Sequence, residues 1–182
     1  EIARVATEEG LWHHVDGAYG AAFRLVPELA ESLSGMELAD SLAVDPHKGL
    51  FLAYGTGALL VRDMAPLREA FQSSASYMPE MQEGEHYDFC EFTPELSRQW
   101  RGLRLWLPLK LHGVDAFRKS LELKRELALR AWNHLRKVED VEIPVAPDLS
   151  LFMFRQEFEN CKPAEEDARN QRLLERINQD RR

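Results

Sequence analysis

Two short apolar runs that each end in a polar cluster restrict this chain more than any other feature. The first, Leu11-Trp12-His13-His14-Val15, passes into Asp16-Gly17-Ala18-Tyr19-Gly20. The second, Leu42-Ala43-Val44, passes into Asp45-Pro46-His47-Lys48-Gly49. Runs this short, bounded by Asp, Gly and Pro, read as strands feeding loops. A third strand is expected over 58–61, Ala-Leu-Leu-Val. Helical patterns lie between and beside them. Residues 2–9 read as a helix stopped by Gly10, and residues 27–34 as another, with Pro27 in its first turn and Gly35 after its end. Strands alternating with helices predict an α/β layer rather than an all-β or all-α domain.

Residues 73–93 keep no period and carry several polar side chains, which predicts a mobile, functional loop. Beyond it the pattern turns helical. Leu103, Leu105, Trp106, Leu107, Leu109 and Leu111 are too dense for one narrow stripe and predict a helix buried on most sides. Residues 114–138 read as a long amphipathic helix with Phe117, Leu121, Leu127 and Leu135 facing a core. Strands are expected over 141–145 and 149–154, and a charged helix over 164–182. The expected division is an α/β region over 1–107, containing the loop 73–93, and the start of a smaller α+β domain over 108–182.

Composition narrows the function classes. A net charge of −8 leaves no basic excess to neutralise phosphates, which argues against a nucleic-acid partner. No apolar run approaches the roughly 20 residues that span a bilayer, so no membrane partner is expected. Cys90 and Cys161 match no metal or redox spacing and read as free thiols in a reducing compartment, with the cytoplasm as the default. The chain starts at Glu1 without a methionine and ends within a charged helical pattern, so it reads as an internal fragment.

A lone lysine is most often a solvated surface residue, and a lone aspartate in a loop most often a turn or capping residue. Asp16 and Lys48 together say more, because each follows a strand. Pyridoxal 5′-phosphate needs a lysine amine to hold its aldehyde as a Schiff base. It also needs an acidic partner that keeps its pyridine nitrogen protonated. Neighbouring strands lie about 4.8 Å apart, so residues at their ends can reach one ring. A metal site built from His13, His14 and His47 is a poorer reading. His13 and His14 point to opposite faces of a strand, and no ligand quartet can be assembled, so no metal is expected.

These two segments resemble the group II pyridoxal-dependent decarboxylases, which include the aromatic-amino-acid, histidine and glutamate enzymes of animals and many bacterial relatives. The resemblance continues through Gly55-Thr56-Gly57-Ala58-Leu59-Leu60-Val61-Arg62-Asp63 and Ser97-Arg98-Gln99-Trp100-Arg101-Gly102-Leu103-Arg104-Leu105-Trp106. The Asp-Pro-His-Lys form followed by Gly-Leu-Phe-Leu is most similar to the bacterial members. It implies the large domain of a fold-type I pyridoxal-phosphate enzyme followed by part of a small C-terminal α+β domain. It also implies a homodimer with its active site at the interface, an amino-acid substrate, and an amine and carbon dioxide as products.

Residue by residue, the resemblance makes Lys48 the Schiff-base lysine and Asp16 the partner of the pyridine nitrogen. Ala18 becomes the small residue against one ring face, and His47 a histidine close to the cofactor. Tyr77 falls where the family carries a loop tyrosine over the active site, placed to protonate Cα after carbon dioxide leaves. Relatives that make an aldehyde instead lack a tyrosine there. Arg98 falls where the family presents an arginine near the substrate end of the pocket, and a structural ion pair with a nearby glutamate remains equally open.

The pattern is broken in two places. Asp45 stands where the animal enzymes carry an asparagine facing the cofactor phosphate, and a carboxylate there repels phosphate unless it is turned away or protonated. The family's phosphate-binding serine and glycine turn, and the histidine that stacks on the other ring face, precede residue 1. Two alternatives stay open. One is another lyase of the same fold, such as a desulfurase, in which a mobile cysteine replaces the loop tyrosine. The other is a non-catalytic fragment that binds no cofactor.

Overall fold

The computed structural model describes residues 1–72, 88–158 and 160–180. It divides into two compact units, Glu1–Arg118 and Lys119–Arg182.

The first unit opens with α1 (Ile2–Glu8), which ends at Glu9 and a left-handed Gly10 at φ 64°. Strand β1 (His14–Asp16) then pairs in parallel with β2 (Ser41–Val44), which pairs antiparallel with β3 (Ala58–Val61). The register sets Asp16 against Ala43 and Val44 against Ala58. Between β2 and β3 lies α2 (Pro46–Gly49), a single turn, and after β3 comes α3 (Ala65–Phe71).

The connection from β1 to β2 departs from the expected helix over 27–34. It runs instead through 3-10 turns at Ala21–Leu25, Pro27–Leu29 and Met36–Leu38. Three-residue hydrogen bonds carry it: Val26 N–H to Phe23, Leu29 N–H to Val26, and Ala30 N–H to Pro27. The apolar spacing explains the choice. Phe23, Val26 and Leu29 recur every third residue, and a 3-10 path stacks that period on one face. All three are buried, at 0%, 1% and 6% exposure, and they form the centre of this unit's core.

Helix α4 (Arg101–His112) forms where the dense leucine pattern lies, but it is not buried on most sides. Trp106, Leu107 and Leu111 stand exposed in this chain, at 57%, 42% and 69%. Density of apolar residues measures what a helix is able to bury, and the described residues leave these three exposed. Helix α5 (Val114–Leu135) begins in the first unit, where Phe117 is buried and Arg118 donates to the Leu25 carbonyl at 3.0 Å.

In the second unit α5 buries Leu121 and Ala128, whereas Leu127, an expected core residue, is half exposed. Strands β4 (Val141–Glu142) and β5 (Arg155–Gln156) pair antiparallel, and α6 (Pro163–Gln179) follows. The strand expected over 149–154 is displaced towards the C-terminus. Leu151 and Met153 are exposed, so burial does not select that stretch, while polar contacts fix the next one. Asn170 on α6 accepts from the Gln156 N–H at 2.8 Å and donates to its carbonyl at 2.9 Å.

Candidate functional site

Because β1 and β2 run in parallel, the loops after Asp16 and Val44 leave the sheet at the same edge. Such carboxyl edges are where open α/β sheets bind ligands. The two loops are joined directly: the Asp45 N–H donates to the Ala18 carbonyl at 3.1 Å. Asp16 turns its own loop, one carboxylate oxygen accepting from the Ala18 N–H at 3.1 Å, and the side chain stays exposed at the edge. Lys48 sits on α2 directly after β2, with its backbone N–H on the Asp45 carbonyl at 2.9 Å.

Two glycines make this approach possible. A Cβ on Gly17 would lie 2.7 Å from both Ala21 Cβ and Leu42 Cδ1, and 3.0 Å from the Ala43 carbonyl. A Cβ on Gly49 would lie 2.4 Å from Ala22 Cβ. Gly17 therefore lets the Asp16 loop close on β2, and Gly49 lets the Lys48 turn seat against Ala21–Leu25. Both glycines stand beside a motif residue. Their role was not legible in the sequence because the residues they approach are distant along the chain.

The electrostatics centre on one ion pair. Lys48 Nζ lies 2.8 Å from Asp45 Oδ2, with the two side chains 46% and 25% exposed. The hydrogen bond between them holds the Asp45 carboxyl below its ordinary range and the Lys48 amine above its own. The charges of Asp16 and Tyr54 reinforce the lysine's shift. Asp45 is thus ionised and turned to Lys48.

His47 is held from the other side. Its Nδ1 lies 2.9 Å from the Thr56 carbonyl, which can only accept, so Nδ1 carries a proton. That leaves Nε2 facing Asp45 Oδ2 at 4.0 Å. Tyr54 meets the imidazole edge-on at 5.1 Å between ring centres. Thr56 is itself buried and donates its hydroxyl to the Ala53 carbonyl at 2.9 Å. Beneath the edge, Ser41 Oγ accepts from Trp12 Nε1 at 2.8 Å and bonds His14 Nδ1 at 2.7 Å, tying the start of β2 to β1.

Asp16, Ala18, His47 and Lys48 therefore share one edge of one sheet. Arg98 keeps different company: it donates to the Glu95 carbonyl and stacks over Phe89, 6.0 Å from the ring centre. Its segment borders a cavity of about 630 Å³ lined by Phe89, Glu95, Trp100 and Arg101. The Glu95 carboxylate is taken by Arg101 at 2.8 and 3.0 Å rather than by Arg98. Tyr77 lies outside the described residues. Of the expected loop 73–93, residues Phe89–Glu91 form a 3-10 turn capped by Asp88.

The model of the pyridoxal-dependent decarboxylase conserved domain matches residues 1–157. The chain belongs to the pyridoxal-dependent decarboxylase family. Among relatives of this family, an aromatic-L-amino-acid decarboxylase of Bacillus atrophaeus is 37% identical over 85% of this chain and 33% of its own length. A histidine decarboxylase of Mus musculus is 31% identical over 88% of this chain and 24% of its own. The crystal structure of Oryza sativa TDC with PLP and tryptamine superposes with a TM-score of 0.88 at 27% identity. It covers 98% of this chain and 38% of that one. The chain thus has the fold-type I architecture of these decarboxylases and spans about a quarter to two-fifths of the length of these relatives.

Proposed function

We propose that the complete protein removes the α-carboxylate of an L-amino acid as carbon dioxide and releases the amine, with pyridoxal 5′-phosphate carried on Lys48. One observation supports this above the others. A carboxylate, Asp16, and an amine, Lys48, stand at the same carboxyl edge of the sheet, their loops joined by the Asp45–Ala18 hydrogen bond. These residues suit a group that needs an acid for a ring nitrogen and an amine for an aldehyde. When bound, that group supplies a protonated ring that accepts the electron pair left by a bond broken at Cα.

The chain's residues then divide the work. Asp16, fixed by its bond to the Ala18 N–H, keeps the pyridine nitrogen protonated. Ala18 leaves room for a flat ring because its side chain is a single methyl. His47 is oriented through Nδ1 by the Thr56 carbonyl, beside the lysine it precedes. Lys48 holds the cofactor and yields its place to the substrate amine. Tyr77 delivers the proton to Cα, and Arg98, with its planar fork of donors, receives a substrate carboxylate. The protein works as a cytoplasmic homodimer with the site at the interface.

Decarboxylation is favoured over desulfuration by the match to the decarboxylase domain over residues 1–157. The test supplies the complete protein with pyridoxal 5′-phosphate and a panel of L-amino acids, then quantifies carbon dioxide, amine and released sulfur. Stoichiometric carbon dioxide and amine are expected. Sulfur release, or no turnover of any amino acid, contradicts the proposal.

A further inference from the structure

Asp45 occupies the N-cap of α2, where an aspartate ordinarily accepts from a backbone N–H, yet its side chain caps nothing. Its carboxylate is directed instead to Lys48 Nζ at 2.8 Å. The surroundings accommodate that turn. Gly57 lies so close that even a Cβ there would stand 3.2 Å from Asp45 Oδ1, and a larger residue would displace the carboxylate. The backbone of Asp45 is pinned as well, through its N–H to Ala18 and its carbonyl to the N–H groups of Lys48 and Gly49.

We propose that Asp45 is a positioning residue that holds Lys48 in its ammonium form whenever the amine is not bonded to cofactor. The inference rests on Lys48 being the cofactor lysine, as argued above. An ammonium does not attack an aldehyde. The lysine must first give its proton to solvent; the neutral nitrogen then adds to the aldehyde carbon, water leaves, and the proton returns to the new imine nitrogen. Asp45 opposes the first of these steps and keeps the lysine aimed while it waits. The other ionisable groups acting on Lys48 are Asp16 from β1 and Tyr54 after α2, and both favour the same charged form. Arg24 is the charged residue of the turn Ala21–Leu25 packed against α2, and it acts on Glu37 instead. The ion pair persists from below the ordinary aspartate range to above the ordinary lysine range, so it is intact across neutral pH.

The experiment compares the complete, cofactor-free protein with its Asp45→Asn variant, which keeps the shape and the N-cap preference and removes the charge. A second variant, Asp45→Glu, keeps the charge. An amine-acylating reagent is applied across a pH series, and Lys48 labelling is read by mass spectrometry against the other lysines. Each unit of downward pKa shift raises the neutral fraction about tenfold. The expected result is Lys48 labelling several-fold faster in Asp45→Asn at pH 8, with its profile moved to lower pH and the other lysines unchanged. Pyridoxal 5′-phosphate uptake, followed by absorbance, should accelerate in parallel, and Asp45→Glu should stay nearer the parent. An unchanged Lys48 profile in Asp45→Asn overturns the proposal. If borohydride fixes the cofactor to another lysine, the functional reading fails while the labelling still reports on Asp45.

Discussion

Replacing Gly49 by alanine tests whether the seating of α2 on Ala21–Leu25 is what places Lys48. The added Cβ would meet Ala22 Cβ at 2.4 Å, against an optimum of about 3.5–4.0 Å for two carbons. Both atoms are fixed to backbone, so no rotamer relieves the clash and α2 must lift by about 1 Å. Overpacking of this kind costs about 1–3 kcal/mol. Alanine recovers at most about 0.5–1 kcal/mol through its better helical propensity, which leaves a net loss of about 0–2.5 kcal/mol. The functional loss should be larger than the loss in stability. A displacement of about 1 Å at a reacting group costs on the order of 100-fold in rate. The assay measures urea unfolding and amine release for the complete protein carrying Gly49→Ala, Ala22→Gly and both together. The double variant removes the clashing methyl and should regain most of the lost activity. Refutation would be Gly49→Ala with parental turnover, or a double variant no better than the single one.

Other substitutions separate the roles of the remaining residues. Asp16→Asn in the complete protein should retain cofactor by absorbance yet lose turnover by about 100–1000-fold, as expected when a fixed charge opposite a developing one is removed. Tyr77→Phe should leave substrate affinity nearly intact and slow amine formation by about 100-fold or more, with aldehyde and peroxide as diverted products under air. Amine at the parental rate without aldehyde would make Tyr77 a bystander. Light scattering at assay concentration should give a dimer mass; a fully active monomer would contradict a site at the interface.

Sequence patterns reported the parts of this fold that local chemistry decides. Strand β3 occupies 58–61 as expected, because four apolar residues with β-branched and leucine side chains sit between a glycine turn and a charged loop. The shared edge of Asp16 and Lys48 was legible for a similar reason: Asp16 closes β1, Lys48 lies in the turn that follows β2, and parallel pairing brings those ends together. The turns between β1 and β2 were misread as a helix because Pro27 and Gly35 also bracket helices. The three-residue spacing of Phe23, Val26 and Leu29 was the available signal. The exposure of Trp106 and Leu111 was not legible, since a pattern shows what a helix can bury and not what covers it. The Asp45–Lys48 pair was hidden differently. The resemblance sets Asp45 towards the cofactor phosphate unless it turns away, and the tertiary position of Gly57 shows the room for its carboxylate to turn to Lys48.

Borohydride reduction tests whether Lys48 carries the cofactor. The complete protein, loaded with pyridoxal 5′-phosphate, is reduced, digested and analysed by mass spectrometry for the pyridoxyl group. A single modified peptide containing Asp45-Pro46-His47-Lys48 is expected, with the label on Lys48 and absent from Lys48→Ala. A pyridoxyl group on any other lysine, or one that persists in Lys48→Ala, would contradict it.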